Sequence, residues 1–507
     1  MTISRIGSAL VVLGCLAAAR PGIAADRCDA TGVHAEAVAT ARRAIATSCA
    51  CDGFASHGEY GRCARAVLAV QRGAGLLDRS CADLVRRIAK RSTCSHASPR
   101  VACCERNLRN GKRHCRIRSA DECVASARTE RTACATSPFC ADTRCGPEAL
   151  GGGVSDPVCE DELLYAAEGN RLRRFDIDSI LSGPLVEDVL IERASDDPEG
   201  RDINGQTCPL GDGSGRFVAG EDTDQPHPPP GWGVFEADGT QVGKLATTYF
   251  TDGAEPFGCA VDSEGRLFTS EVGNQAAGDF NGQLILWFPP YDRFPGPPGA
   301  YPATDEPSTN FCKLAVDVGT AGSVATDERG NVYVASARGF QVLRFSPPFP
   351  TGPDAAGGCG ATDGLGSPFA SSVQRTVFAD AVATASGIAR AQNGNWFLGG
   401  VFTATIGEYD AAGTLLRTVL EPDPNDNNFP RAVGHPQGLA RDCRGNLYYA
   451  DLALVISGGG IGPGPNGTVR RIGFDVCGAP EPPVIVRDGL AFPDGLGIFA
   501  GTLAGAP

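Results

Sequence analysis

The 507-residue sequence predicts an all-β, six-bladed propeller behind a small N-terminal module that is disulfide-rich and mainly helical. Three observations lead there. A short two-strand unit recurs through the last two thirds of the chain, the cysteines crowd into the first third, and the charge balance changes sign where they thin out.

The unit is clearest in HPQGLARDCRGNLYYAD, His435 to Asp451. GLA and NLYYA are apolar, β-forming runs on either side of Asp442-Cys443-Arg444-Gly445, so the segment reads as two strands joined by a tight turn. Further copies run from Pro256 to Glu271, Gly322 to Ser336 and Ser386 to Gly400, with a weaker one from Leu210 to Glu221; Leu163 to Glu168 matches the second strand alone. The residues equivalent to Leu447, namely Leu164, Phe217, Leu267, Val332 and Trp396, are separated by steps of 53, 50, 65, 64 and 51 residues. A repeat of about 40 to 50 residues holding several strands is one four-stranded blade, and the two longer steps carry insertions.

Pro-x-Gly-x-Ala-x-Asp-x-x-Gly-Asn-Leu-Tyr-x-Ala-Asp, as it stands from Pro436 to Asp451, resembles the NHL repeat and the related SMP-30/gluconolactonase and streptogramin-lyase propellers. The resemblance covers roughly residues 155 to 500. It implies a fold far more than an activity.

At the N-terminus, Arg5 precedes an apolar run from Ile6 to Ala19, followed by Pro21 and by small residues at Ala24 and Ala25. This is the pattern of a signal peptide, residues 1–25. A membrane-spanning helix needs about 20 apolar residues, and neither this run nor any other segment supplies them. VLGC, Val12 to Cys15, also resembles a lipobox, which would make Cys15 a lipid anchor on an outer-surface lipoprotein. Ordinary cleavage is preferred because the apolar run continues past Cys15 and the small-residue site follows the proline. The expected location is secreted or periplasmic, and 41 Arg beside 4 Lys suggests a GC-rich bacterial genome.

Of 21 cysteines, thirteen lie between Cys28 and Cys145 and seven beyond, so 20 remain once Cys15 is set aside. An even count in an oxidising compartment reads as disulfides. Thirteen is odd, so one bond is expected to leave the first module towards Cys159. Cys49-Ala-Cys51 and Cys103-Cys104 lack the C-x-x-C spacing of zinc sites. Residues 27–146 hold 21 basic against 11 acidic side chains, and residues 147–507 hold 22 against 47. The basic residues are dispersed and not interleaved with aromatics, and the larger part would repel phosphate, so nucleic acid is excluded as a partner.

Within residues 27–146, helical spacing covers His34 to Ser48 and Tyr60 to Val70, and Ser80 with Asp83 caps a third helix ending at Lys90. VACCERN and HCRIRS flank Asn110-Gly111 as a hairpin, and Ser119 with Glu122 forms a capping box for a short last helix. Residues 147–156 are Gly-rich and read as a linker, and residues 157–500 as the propeller. Proline clusters at Pro226 to Pro230, Pro289 to Pro298 and Pro347 to Pro353 belong in loops. The tail, Val484 to Gly501, echoes the first-strand pattern in DGLAFPDGLGIFAG, and is expected to give the missing first strand of the blade begun by Leu163 to Glu168. A seventh, partial blade is the alternative.

Aligning the six second strands places Glu168, Glu221, Glu271, Ser336, Gly400 and Asp451 at one equivalent strand end, on the face where His435 also lies. Four of the six are acidic. Such acids either cap turns, each within its own blade, or converge at the channel mouth on a hard cation such as Ca²⁺, with His435 as a proton acceptor. SMP-30-like lactonases would imply a Glu-Gly-Pro first strand and a pair of asparagines, which are missing. Streptogramin-lyase-like enzymes would imply His and Glu around a divalent ion, whereas His227 and His435 are the only histidines in residues 157–500 and His227 is in a Pro-rich loop. No G-x-S-x-G, H-E-x-x-H or Walker motif occurs, so no nucleophile-base pair is available for covalent catalysis. The expected function is a monomeric bacterial propeller that binds an extracellular ligand, polymer or protein through its mouth. The alternative is a divalent-metal-dependent lactonase or lyase.

Overall fold

The computed structural model describes residues 28–135, 137–145, 159, 161–193, 201–223, 231–246, 255–273, 281–292, 310–364, 366–426, 428–457 and 460–501. The expected signal peptide, Cys15, the linker and His227 lie outside them.

Residues 28–145 form three helices and a sheet. The helices Ala35–Ser48, His57–Gly73 and Arg79–Lys90 share a core of Val38, Ile45, Tyr60, Leu68, Leu84, Val85 and Ile88 with Cys49, Cys81 and Cys94. The third helix is capped not by Ser80 but by Asp78, whose Oδ1 accepts from the Cys81 N–H at 2.7 Å and from the Ser80 hydroxyl at 2.8 Å. The hairpin about Asn110-Gly111 is present as Arg100–Asn107 and Arg113–Ser119, joined on its other side by Thr129–Cys134. The expected last helix is a single 3-10 turn, Ala120–Glu122, without a side-chain cap.

The remaining sheets form a β-propeller of four-stranded antiparallel blades, numbered here along the chain. Blade 1 is Pro493–Ala500, Glu162–Glu168, Arg171–Asp176 and Glu187–Glu192; blade 2 is Arg201–Pro209, Phe217–Thr223, Gly231–Phe235 and Gln241–Leu245. Blade 3 is Pro256–Val261, Leu267–Glu271, Gln283–Trp287 and Phe311–Ala315; blade 4 is Ala321–Thr326, Val332–Ser336, Gln341–Ser346 and Gln374–Ala379. Blade 5 is Ala385–Arg390, Trp396–Gly400, Thr405–Tyr409 and Leu415–Leu420; blade 6 is Pro436–Arg441, Leu447–Asp451, Gly467–Ile472 and Val484–Leu490. The tail expected as one strand is two. Val484–Leu490 is the outer strand of blade 6, and Pro493–Ala500 pairs with Glu162–Glu168. The proline-rich insertion of blade 4 contributes Ala361–Thr362 and Pro368–Phe369 to the sheet of blade 3.

The repeated Asp-x-x-Gly-Asn turn has a local cause. In blade 6, Asp442 Oδ1 accepts from the Asn446 N–H at 2.7 Å, while Oδ2 accepts from the Asn446 amide at 2.6 Å and from the Tyr448 hydroxyl at 3.1 Å. Blade 4 repeats this with Asp327, Asn331 and Tyr333 at 3.0, 2.8 and 2.9 Å. Gly445 and Gly330 take φ of 86° and 75°, the left-handed region that a side chain disfavours. One carboxylate thus satisfies the turn and ties it to the second strand, which is why this stretch is so readable as sequence.

At the centre the first strands approach too closely for side chains. A Cβ on Gly205 would meet the backbone of Phe257, on Gly258 the carbonyl of Gly322, and on Gly322 the carbonyl of Ser386 at 2.6 Å. On Gly387 it would meet Gln437 and Leu439, on Gly438 the carbonyl of Asp494 at 2.8 Å, and on Gly495 it would meet Gly205 again. Polar side chains stitch the same strands: Gln206 Oε1 accepts from Cys259 N–H at 3.1 Å and from Val324 N–H at 2.8 Å.

Ten disulfides pair all 20 described cysteines. The odd cysteine of the first part is Cys134, and its partner is Cys477 in blade 6. The expectation of a bond to Cys159 is therefore corrected, since Cys159 pairs with Cys443. Sequence spacing holds no information about such distant partners, whereas the fold brings both turns of blade 6 to the same side. Cys208–Cys259 links blades 2 and 3.

Candidate functional site

The second strands run towards one face of the propeller, the mouth, and the turns that precede them lie on the other. Residues 28–145 contact the latter. Glu36 pairs with Arg329 and Arg344 at 2.9 and 3.2 Å, and Arg43 pairs with Asp410 at 3.2 Å. Arg390 donates to the Thr31 carbonyl at 2.9 Å, and Arg144 donates to Phe474 O at 2.6 Å and to Arg444 O. Together with Cys134–Cys477 these contacts fix the module over the turns of blades 4 to 6. The mouth face stays clear of them.

At the mouth, the strand-end acids are buried, and Glu168, Glu221 and Asp451 are answered by residues close at hand. Glu168, 3% exposed, pairs with Arg173 of its own blade. Glu221 is fully buried, pairs with Arg193, lies 3.4 Å from Lys244 and accepts from the Gln241 amide at 3.0 Å. Glu271 is 1% exposed and lies in register with Pro256 and Gln283. Asp451 accepts from the backbone N–H of His435 and Ala453 at 2.7 and 2.8 Å, from the Thr468 hydroxyl at 2.9 Å, and pairs with Arg470 at 2.9 Å. Among the described residues, the three-membered groups of closely spaced metal-ligand atoms are Cys28, His34, Cys81 and Cys159, Glu162, Cys443. Neither contains a strand-end acid, and each contains a disulfide.

His435 is fully buried against Phe429 at 5.2 Å between ring centroids. Its Nδ1 is 3.0 Å from the Val401 carbonyl and its Nε2 accepts from the Arg431 N–H at 3.2 Å, so the neutral Nδ1–H tautomer satisfies both. Burial lowers its pKa, against the opposing Val401 hydrogen bond and Asp451 charge. Taking up a proton at Nε2 would break the hydrogen bond from Arg431.

Sequence reasoning passed over Asp494, although PDG at Pro493 to Gly495 repeats PQG at Pro436 to Gly438. Asp494 is 1% exposed, and both its oxygens lie 3.1 Å from the Gly205 N–H. Burial, with Glu255 and Asp222 adding to it, raises its pKa well above the usual carboxylate range. Also missed were the apolar tips of the mouth loops. Phe340 and Phe402 are exposed in blades 4 and 5, and Ile456 and Ile461 face each other on the hairpin Val455–Ser457 and Gly460–Gly462 of blade 6. No repeat marks them, because they lie in loops that differ in length and sequence from blade to blade.

No protein-family model and no curated protein matches the chain. Solved structures similar to it include a nidogen/laminin complex (TM-score 0.40, 11% identity, 66% of this chain and 98% of that one). Others are regucalcin of Agrobacterium tumefaciens, a calcium-binding protein (0.34, 13%, 58% and 85%), and virginiamycin B lyase of Staphylococcus aureus (0.33, 11%, 61% and 86%). With TM-scores below 0.5, these likenesses carry no argument about what the chain does.

Proposed function

We propose that this chain is an exported, monomeric binding protein. In this reading residues 157–500 are a closed six-bladed propeller that takes a polymer or protein at its mouth, and residues 27–146 are a module fixed to the opposite face. The observation that supports it is backbone conformation. Among the described residues, the non-glycine positions with positive φ are Ser95, Phe340, Ala381, Thr384, Ala404 and Ala453. All but Ser95 belong to mouth-side loops of blades 4 to 6, the loops that hold Phe340, Phe402, Ile456 and Ile461 out into solvent. Left-handed backbone at such residues costs about 1–3 kcal/mol each and concentrates where a surface has work beyond folding.

The strand-end acids serve in this reading as fasteners, with Glu168, Glu221 and Asp451 answered by neighbouring donors, and not as Ca²⁺ ligands. The lactonase or lyase alternative lacks a supporting observation, since His435 is buried with both ring nitrogens already hydrogen-bonded to the backbone. A panel of immobilised polysaccharides and secreted proteins, probed with the parent and with a Phe402→Ser, Ile456→Ser, Ile461→Ser variant, tests the reading. A binder lost by the variant at unchanged Tm supports it; binders that the variant retains in full contradict it.

A further inference from the structure

The sheet Arg113–Ser119, Arg100–Asn107, Thr129–Cys134 has two unlike faces. Strand alternation sends Ala102, Cys104, Cys115, Ile117 and Cys134 to one side, where they pack with Val476 and Cys477 of blade 6. The other side carries His114, Arg116 and Arg118 along one strand, Glu105 opposite His114, and Arg131 opposite Glu105. Glu105 is 4% exposed in its side chain and lies 2.7 Å from His114 Nε2, 2.7 Å from Arg118 Nε, 3.1 Å from Arg131 Nε and 3.7 Å from Arg116 Nε. Burial would raise its pKa, but the hydrogen bond and charge of Arg118, with Arg131 and His114, hold it below its ordinary value.

One carboxylate therefore gathers three guanidiniums and an imidazole on this side of the sheet, Arg131 also donating to the carbonyls of Glu122 and Val124. It neutralises only one of them. Arg116 remains 61% exposed, and Arg109, Lys112 and Arg128 extend the same sign at the turn end of the hairpin, all exposed. Side chains at alternate positions of a strand stand about 7 Å apart, so Arg116 and Arg118 stand in line on this face, with the turn cations beyond His114 continuing the direction. A linear polyanion can follow such a row, and guanidinium forks suit carboxylate or sulfate groups. The row holds no Phe, Tyr or Trp, and its one ring, His114, is tied to Glu105, so a run of stacked bases has no platform there.

We propose that this outer sheet face binds an acidic polysaccharide bearing carboxylate or sulfate groups. The site is distinct from the propeller mouth, and its fate is independent of the mouth reading.

The test is titration of the full chain with dextran sulfate. Arg118 and Arg131 are left in place, because removing them would strand the buried charge of Glu105. The variant is Arg109→Gln, Lys112→Gln, Arg116→Gln, with Arg375→Gln on the propeller as a control. Affinity should fall about tenfold or more in the triple variant and on raising salt from about 50 to 200 mM, with Tm and the control unchanged. Equal affinity of the triple variant and the parent would overturn the proposal. So would equally tight binding of polyglutamate, or binding of phosphatidylglycerol vesicles without binding of dextran sulfate.

Discussion

The side-chain oxygen of Gln206 accepts from the backbone N–H of Val324 at 2.8 Å, which joins blade 2 to blade 4 across the first strand of blade 3. It also holds the Cys259 N–H of that intervening strand. Buried N–H groups without partners cost about 1–3 kcal/mol each. Gln206→Ala should therefore destabilise the protein by about 2–5 kcal/mol, measured as a loss of Tm. A variant that melts with the parent would show that water replaces the side chain and that the centre is not held this way.

Removing residues 491–507 should do more than any point change. Pro493–Ala500 pairs with Glu162–Glu168, whose Leu163, Leu164, Tyr165, Ala166 and Ala167 are buried. Without it an apolar strand edge is exposed. The truncated chain should aggregate or melt about 10 °C or more below the parent. A soluble truncation with the parent Tm would contradict closure by the tail.

How much of this was readable in advance divides by the range of the interactions. The second strands were legible because Asp442, Asn446 and Tyr448, or Asp327, Asn331 and Tyr333, meet within six residues of each other. The tail strand was legible as an echo of the same first-strand pattern. The first strand of blade 2 was not, since polar Gln206-Thr207 follow Gly205 where Leu439-Ala440 and Ile388-Ala389 follow the matching glycines of blades 6 and 5. Nor could the role of the acids be read, because Glu221 is met by Arg193 from the end of the preceding blade, a position no repeat marks. The same limit applies to Cys134, whose partner is 343 residues away.

The cysteine pairing has a direct count. Denatured, unreduced mature protein should show at most one reactive thiol by thiol titration. More than about six would contradict the disulfide framework of the first module.

Asp494 and His435 give pH dependences of opposite sign. The folded-state pKa of Asp494 is raised by burial, so its contribution is complete below the ordinary carboxylate pKa and is lost as pH rises from there. Asp494→Asn should keep the Gly205 hydrogen bond, raise Tm at pH 8 and leave Tm at pH 4 nearly unchanged. The folded-state pKa of His435 is lowered by burial, so its contribution is complete above the ordinary histidine pKa and is lost as pH falls through the folded value. His435→Gln should accordingly lower Tm more at pH 8 than at pH 5. A Tm loss from Asp494→Asn that grows with pH would reverse the sign argued for the carboxyl.

The central claim is that the mouth acids fasten strand ends and that no cation is needed there. The most direct measurement is a thermal melt of the parent and of Asp451→Asn in Ca²⁺ and in chelator. The account predicts no ion-dependent shift in the parent, and a loss of about 2–4 kcal/mol in Asp451→Asn that is the same in both media, because Arg470 and three hydrogen-bond donors lose their anion. A parent stabilised by several degrees in Ca²⁺, with the shift abolished by Asp451→Asn, would contradict it and restore the cation site.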